Sequence, residues 1–258
     1  MAVLAVVETF LPFFTKDWRR RHALPNLLLT ALTLSLNFAF NTGAVLVTAA
    51  LAEAHFGLLS SVHLPPIAGV LLSIVALDAS TYLGHRLMHA IPALWRAHSV
   101  HHADPLVDVT TALRQHPIES VWRFTMLMAP AWLLGLPAEG LVAYRVISAL
   151  DALVLHMNVR LWQPLDAALS FVVGTPNMHK LHHSRLESET NTNYGNIFSL
   201  FDRVLGTFTP SARATSVDYG LDAHDDAETQ TFVGLLRLPF SMRGGHDTRL
   251  APLQTERR

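Results

Sequence analysis

Eight histidines stand in three short clusters whose spacing suits metal ligation. His85 and His89 form an HxxxH pair, His98, His101 and His102 an HxxHH run, and His179, His182 and His183 repeat that run. Residues three and four apart lie on one helix face, so each cluster is expected to aim its imidazoles at a common point. Imidazole suits Fe, Zn, Cu and Ni. The chain has no cysteine, which excludes disulfides, zinc ribbons, iron–sulfur clusters and thiolate catalysis. Two further candidates have supporting contexts: His116 in Arg114-Gln115-His116-Pro117-Ile118-Glu119, and His156 in Leu155-His156-Met157-Asn158. Ten imidazoles exceed what one ion takes, since structural zinc uses four. Two ions with four or five ligands each fit the count better. His22, His55, His63, His224 and His246 have no partner at ligand spacing and are expected to be bystanders. No HExxH is present, which argues against a zinc protease.

The elements that must carry these clusters are apolar. Of 258 residues, 50% are hydrophobic and 15% charged, against about 25% charged in soluble domains; mean hydropathy is +0.30. The net charge of -1 offers no basic surface for nucleic acid. A membrane span needs about 20 apolar residues. Leu27–Leu51 qualifies, with Asn37 and Asn41 inside it, and so does Leu64–Gly84, opened by Pro65 and Pro66 and carrying Asp78. Val121–Pro137 and Ala138–Leu155 form a second pair, joined at Gly135-Leu136-Pro137 and interrupted by Arg145 and Asp151. Gly and Pro punctuate helices, so this pair reads as a hairpin that either crosses or re-enters.

Orientation follows from the cations. Four lie in Lys16–Arg21, three in His85–Pro117 and ten from Arg160 onward, whereas Glu53–His63 and Gly135–Gly140 contain none. Positive-inside bias puts both termini and the central segment in the cytoplasm. His102 and His179 are separated by 76 residues that include the second hairpin. An out-and-back crossing returns the third cluster to the face of the first two, whereas an odd number would leave about 30 Å of hydrocarbon between them. The expected fold is an all-α integral membrane protein, with four transmembrane helices in two hairpins and a cytoplasmic helical cap carrying a histidine-rich dimetal site. Residues 1–22 are expected to be an interfacial segment and 23–210 the catalytic domain. Residues 211–258 are read as a cytoplasmic tail with an amphipathic stretch at Phe232–Phe240 and a mobile end. The basic cluster follows the first apolar residues, the wrong order for a cleaved signal peptide.

From about Leu71 to Phe208 the chain resembles the fatty acid hydroxylase/sterol desaturase superfamily of integral-membrane, non-haem diiron enzymes. The resemblance rests on the three histidine boxes and on Tyr82-Leu83-Gly84-His85-Arg86, Leu94-Trp95-Arg96-Ala97-His98, Arg114-Gln115-His116-Pro117, His156-Met157-Asn158, Asn193-Tyr194-Gly195-Asn196 and Asp202-Arg203-Val204-Leu205-Gly206-Thr207-Phe208. It implies two iron ions held by the eight box histidines, with His116 and His156 completing a set of ten, and O2 and an external electron donor as co-reactants. Zinc can displace iron from imidazole during purification. It also implies oxidation, by hydroxylation or desaturation, of a membrane lipid such as a fatty acyl chain or sterol. The alternatives are a carotenoid or ether-lipid oxygenase of the same superfamily, or a non-enzymatic metal-binding membrane protein. A transporter would spread ionisable residues along its spans, whereas these ligands gather at one face.

No His-Pro-Gly-Gly haem motif is present, so electrons are expected from a separate protein or small reductant. With no KDEL-type ending and an arginine-rich, lysine-poor composition, a bacterial inner membrane is expected. Carboxylates are expected to orient imidazole N–H groups; Asp78, Glu119 and Asp151 are the candidates. Trp122, Phe124, Met126, Met128 and Trp132 are placed along a substrate channel between the helices.

Overall fold

Prolines set where the helices begin. The computed structural model describes residues 1–10, 12–13, 19–62, 64–222 and 224–242. Lys16, His63, His246 and the end read as mobile lie outside the described residues. The helices, numbered in chain order, are α1 (Ala2–Phe10), α2 (Arg19–Glu53), α3 (Pro66–Ala90), α4 (Pro92–His102), α5 (Pro117–Leu134), α6 (Ala138–His156), α7 (Gln163–Leu169), α8 (Pro176–His182), α9 (Glu187–Thr190), α10 (Leu200–Val204) and α11 (Phe232–Ser241). Pro66, Pro92, Pro117 and Pro176 each open a helix, where the missing N–H costs nothing. A residue before proline is driven to extended backbone. Ile91, at φ −100° and ψ 116°, therefore ends α3 and turns the chain into α4. That turn lays the second histidine box over the first.

The fold is all-helical; among the described residues there is no strand, only an isolated antiparallel bridge between Pro12 and Val159. Two helices, His22–Glu53 and Pro66–Ala90, are long and apolar enough to cross a membrane. Side chains such as Phe38, Leu46, Leu71, Val75, Val146 and Leu150 point outward from α2, α3 and α6. So large an apolar surface needs a covering, and this is a membrane protein.

Helix α3 packs on α5 and α6, and α2 packs across both. Leu77, Leu127, Met128, Ala131, Leu141 and Tyr144 fill the space between them. Gly140 lets α6 approach α3 closely, because a Cβ there would collide with the Ser73 hydroxyl. At one end of this bundle the α2–α3 and α5–α6 connections meet. Leu58 and Leu59 N–H donate to Leu133 and Leu134 carbonyls at 3.0 and 2.9 Å. Gly135 there takes φ 71° as the left-handed stop of α5. The histidines occupy the opposite end, under α4, α8 and α9.

Candidate metal centre

Nine buried or half-buried histidines come together as two groups. His85, His89, His98, His102 and His182 form the first, and His101, His156, His179 and His183 the second; within each, one nitrogen per ring lies within 4.8 Å of all the others. The boxes are therefore split between groups. Each pair four apart stays together (85/89, 98/102, 179/183), while the middle histidine of each HxxHH run, His101 or His182, joins the other group. Helix geometry dictates this. Successive residues are about 100° apart, so a residue at i+4 returns to within roughly 40° of i while its neighbour at i+3 falls on the other side. The common point expected for each box is thus two points. His102 and His183 stack where the groups meet, with ring centroids 4.5 Å apart.

Every ring of the five-membered group has its outer nitrogen engaged. Nδ1 of His85 donates to the Tyr194 carbonyl at 2.9 Å, that of His182 to the Thr192 carbonyl at 2.8 Å, and that of His89 to Asn191 Oδ1 at 3.2 Å. His98 Nδ1 donates to Glu119 Oε1 at 3.1 Å. His102 Nδ1 faces Thr190 Oγ1 at 3.4 Å, a hydroxyl that donates its own proton to the His182 carbonyl. A proton held on Nδ1 leaves the Nε2 lone pair facing inward. The Nε2 atoms of His89, His102 and His182 are buried with no hydrogen-bond partner, and those of His85 and His98 stand 3.1 Å apart.

In the second group His156 donates from Nδ1 to the Ala152 carbonyl at 2.7 Å. Its Nε2 faces those of His179, His101 and His183 at 2.9, 3.0 and 3.3 Å. Converging lone pairs repel unless a cation lies among them, so both donor sets fit a metal ion. Burial, then the charge of neighbouring imidazoles, holds His98, His101, His102, His179 and His183 well below the ordinary histidine range. Burial likewise pushes His182 down to about 4. These rings are neutral, the form that binds metal.

The remaining expected residues lie outside the two groups, some of them against the histidines and some not. His116 belongs to neither group: it caps α5, accepting from the Ile118 N–H at 3.2 Å, while its Nε2 donates to the Leu236 carbonyl at 3.3 Å. It thereby ties α11 to α5. Of the three carboxylates, Glu119 meets a box histidine and also takes Arg123 Nε at 2.7 Å. Asp78 instead anchors the loop after Tyr194, accepting from Ile197 N, Phe198 N and Asn196 Nδ2. Asp151 keeps a buried oxygen with no hydrogen bond. Trp122 and Met126 line a cavity beside the histidines. Phe124 stacks on Phe40, and Met128 lies in the helix core.

Several supports were not singled out from sequence. The Thr190–Tyr194 segment supplies four of the five outer partners, a role signalled only by its polar run after the third box. Lys180 is fully buried and donates to the Val107 and His156 carbonyls at 3.0 and 2.7 Å. Glu8 reaches from α1 to accept the Val109 and Asn158 N–H groups at 2.8 and 2.7 Å. His22, expected to be a bystander, is buried between Asp104 and Asp108 at 3.1 and 3.2 Å. Burial opposes ionisation of Asp104, but the charges of His22 and Arg114 and hydrogen bonds from His22 and Thr111 outweigh it and hold the carboxyl well below its ordinary value.

Residues 70–207 match the fatty acid hydroxylase family model. Ornithine lipid hydroxylase OlsE of Rhizobium tropici is 30% identical over 253 residues, covering 95% of this chain and 74% of that protein. Alkylglycerol monooxygenase of Danio rerio is 31% identical over 153 residues, 58% of this chain and 32% of its own length. A very-long-chain aldehyde decarbonylase, GL1-9 of Oryza sativa, is 28% identical over 59% of each chain. The chain thus spans about three quarters of the first of these relatives and about a third of the second. No solved structure matches it.

Proposed function

This chain belongs to the fatty acid hydroxylase family and is a lipid-oxidising oxidoreductase, and on that premise we propose that its two histidine groups hold a pair of iron ions that use O2 to hydroxylate a membrane lipid. The observation that carries this reading is the convergence of nine imidazole nitrogens into groups of five and four. His85, His89, His98, His102 and His182 are assigned to one ion, and His101, His156, His179 and His183 to the other; His116 is assigned to positioning α11. Iron so held would pass electrons from the external donor to O2, which is the cofactor's chemistry rather than the protein's.

The chain's own residues do the rest. Tyr194, Asn191, Thr190, Thr192 and Glu119 fix the Nδ1 proton and so keep Nε2 free for the ion. Lys180 and Glu8 hold the backbone around His156 from behind. The apolar helices keep bulk water from the site and let a lipid reach it from the bilayer. Residues 23–210 are assigned to the catalytic unit, 1–22 to an interfacial segment and 211–258 to a cytoplasmic tail. A separate electron-transfer protein or small reductant supplies the electrons. Both hairpins are read as crossing a bacterial inner membrane, with the histidines and both termini cytoplasmic.

Hydroxylation is favoured over desaturation by the hydroxylase and monooxygenase relatives. An ether-lipid substrate is the second reading, favoured by the alkylglycerol monooxygenase similarity, although that covers less of the chain than the ornithine lipid hydroxylase does. The test is anaerobic iron reconstitution of the purified protein, with lipidomics of cells expressing it. Two irons per chain and an O2-dependent lipid product are expected. The same product at full yield from His101→Ala and His182→Ala variants would sink the assignment. A reporter fused at the turn between α2 and α3 tests orientation, and cytoplasmic activity there would reverse it.

A further inference from the structure

The cavity between α2, α3, α5 and α6 carries charged and amide side chains among apolar ones such as Leu113, Met126 and Leu127, where a tunnel for an acyl chain alone would need only the latter. Thr81, His85, Gln115, Arg123 and Asn196 line it, and the same residues wall a second, neighbouring hollow against His101, His156 and His179. Farther from the histidines the cavity is walled by Asn37, Ser148 and Arg145. Some of these groups satisfy one another: Asn196 Nδ2 donates to Ser148 Oγ at 2.9 Å and Tyr144 OH to Thr81 Oγ1 at 2.6 Å. Arg145 does not. Its guanidinium makes no hydrogen bond or ion pair with any described residue, and its Nε is buried without a partner. The nearby cation is Arg123, whose Nε is taken by Glu119. Glu119 already serves His98, so its carboxylate is shared between Arg123 and a box histidine, and Arg145 is left without a carboxylate of its own among the described residues.

An unpaired cation at membrane depth is costly, and such residues mark sites where a charged ligand is handled. A neutral chain in this cavity would leave the guanidinium and the Gln115 and Asn37 amides desolvated and unpaired. A guanidinium instead matches an oxyacid in bidentate fashion. We propose that this cavity binds the anionic headgroup, a carboxylate or phosphate ester, of the lipid that the enzyme oxidises, with Arg145 as its main ligand and Arg123 as the second. The proposal rests on the reading of the chain as a lipid oxidase and names the class of its substrate. Electrostatic selection here requires no sequence of contacts along the chain, only a fixed cation that has no hydrogen bond or ion pair among the described residues.

Binding is read without turnover. Trp122 lines the same cavity, its indole fixed by a hydrogen bond to the Gly84 carbonyl at 3.0 Å, so a brominated lipid seated there quenches its fluorescence. Full-length, metal-loaded protein in phosphatidylcholine nanodiscs under argon is titrated with dibromostearic acid, its methyl ester and dibromo-acyl phosphatidylglycerol; Trp122→Phe identifies the signal. Wild type is expected to bind one or both anionic probes about tenfold or more tighter than the ester, the scale of a charge-assisted hydrogen bond. Arg145→Gln should abolish that preference with metal content unchanged, and Arg145→Lys should restore part of it. The preferred anion then distinguishes carboxylate from phosphate. Equal quenching by acid, phospholipid and ester in wild type, or an anion preference that survives in Arg145→Gln, overturns the proposal. Metal content and O2-dependent product are scored separately, so failure of the oxidase reading would show there and not in the quenching.

Discussion

The two histidine groups differ in what stands behind them. In the five-membered group every outer nitrogen meets an oxygen, from Glu119, the Thr190 and Asn191 side chains or the Thr192 and Tyr194 carbonyls. In the four-membered group His156 is held by the Ala152 carbonyl, while the Nδ1 atoms of His101 and His183 are buried with no partner. The first set is oriented before any ion arrives; the second relies on helix position and on His156. Orientation by an outer partner raises ligand basicity and affinity. The five-membered group should therefore hold its ion more tightly, and the four-membered group should be the one that exchanges.

The sharpest way to break this contrast is to remove His156, the ring on which the other three of its group converge. His156→Ala should drop metal content from two ions per chain to one and abolish product, as read by metal analysis and lipidomics; retention of both ions would contradict the division. Glu119→Gln should come next. It leaves the shape intact but weakens the partner of His98, and should lower affinity or turnover by about 10- to 100-fold, with the loss confined to the five-membered group. Thr190→Val removes the long 3.4 Å contact to His102 and the hydroxyl's 2.6 Å hydrogen bond to the His182 carbonyl, both between uncharged groups, so a smaller loss than for Glu119→Gln is expected in a chelator competition.

Acid should act on both groups alike, because α4 supplies His98 and His102 to one and His101 to the other, and Asp104 braces its end. The Asp104 carboxyl titrates below its ordinary value in the folded protein. Its contribution to stability is therefore complete above the unfolded value of about 4 and declines as pH falls through the folded one. Asp104→Asn should flatten that acid-side loss in a thermal melt followed against pH. An unchanged pH profile would show that the His22–Asp104 contact is not what braces the helix.

The clustering of the histidines was more legible in the sequence than its division. Spacing alone marked eight of the nine that the structure brings together, and the ninth, His156, stood out by its place at the end of an apolar segment. The split of each HxxHH run depends on which helix faces which, and that is set by the turn at Ile91-Pro92 and by the return of α8, neither of which spacing reports. His116 resembled a ligand because it precedes α5 at the same end of the bundle, yet the extended backbone imposed by Pro117 makes it a cap. Asp78 shares a helix with His85, but a loop 118 or more residues later claims it. Long-range partners of this kind leave no periodic trace. Helix α2 and helix α3 were legible from apolar length; α5 and α6, broken by Arg123, Arg145 and Asp151, carry the cavity that makes them less apolar.

The central claim is that nine histidines hold two ions with unequal grip. Anaerobic Fe(II) titration of the metal-free, full-length protein tests it most directly, with bound iron counted at each addition. Two ions per chain are predicted, the first bound tightly and the second more weakly, with His156→Ala keeping only the first. A single ion at saturation in wild type, or a His156→Ala variant that still takes up two, would contradict it.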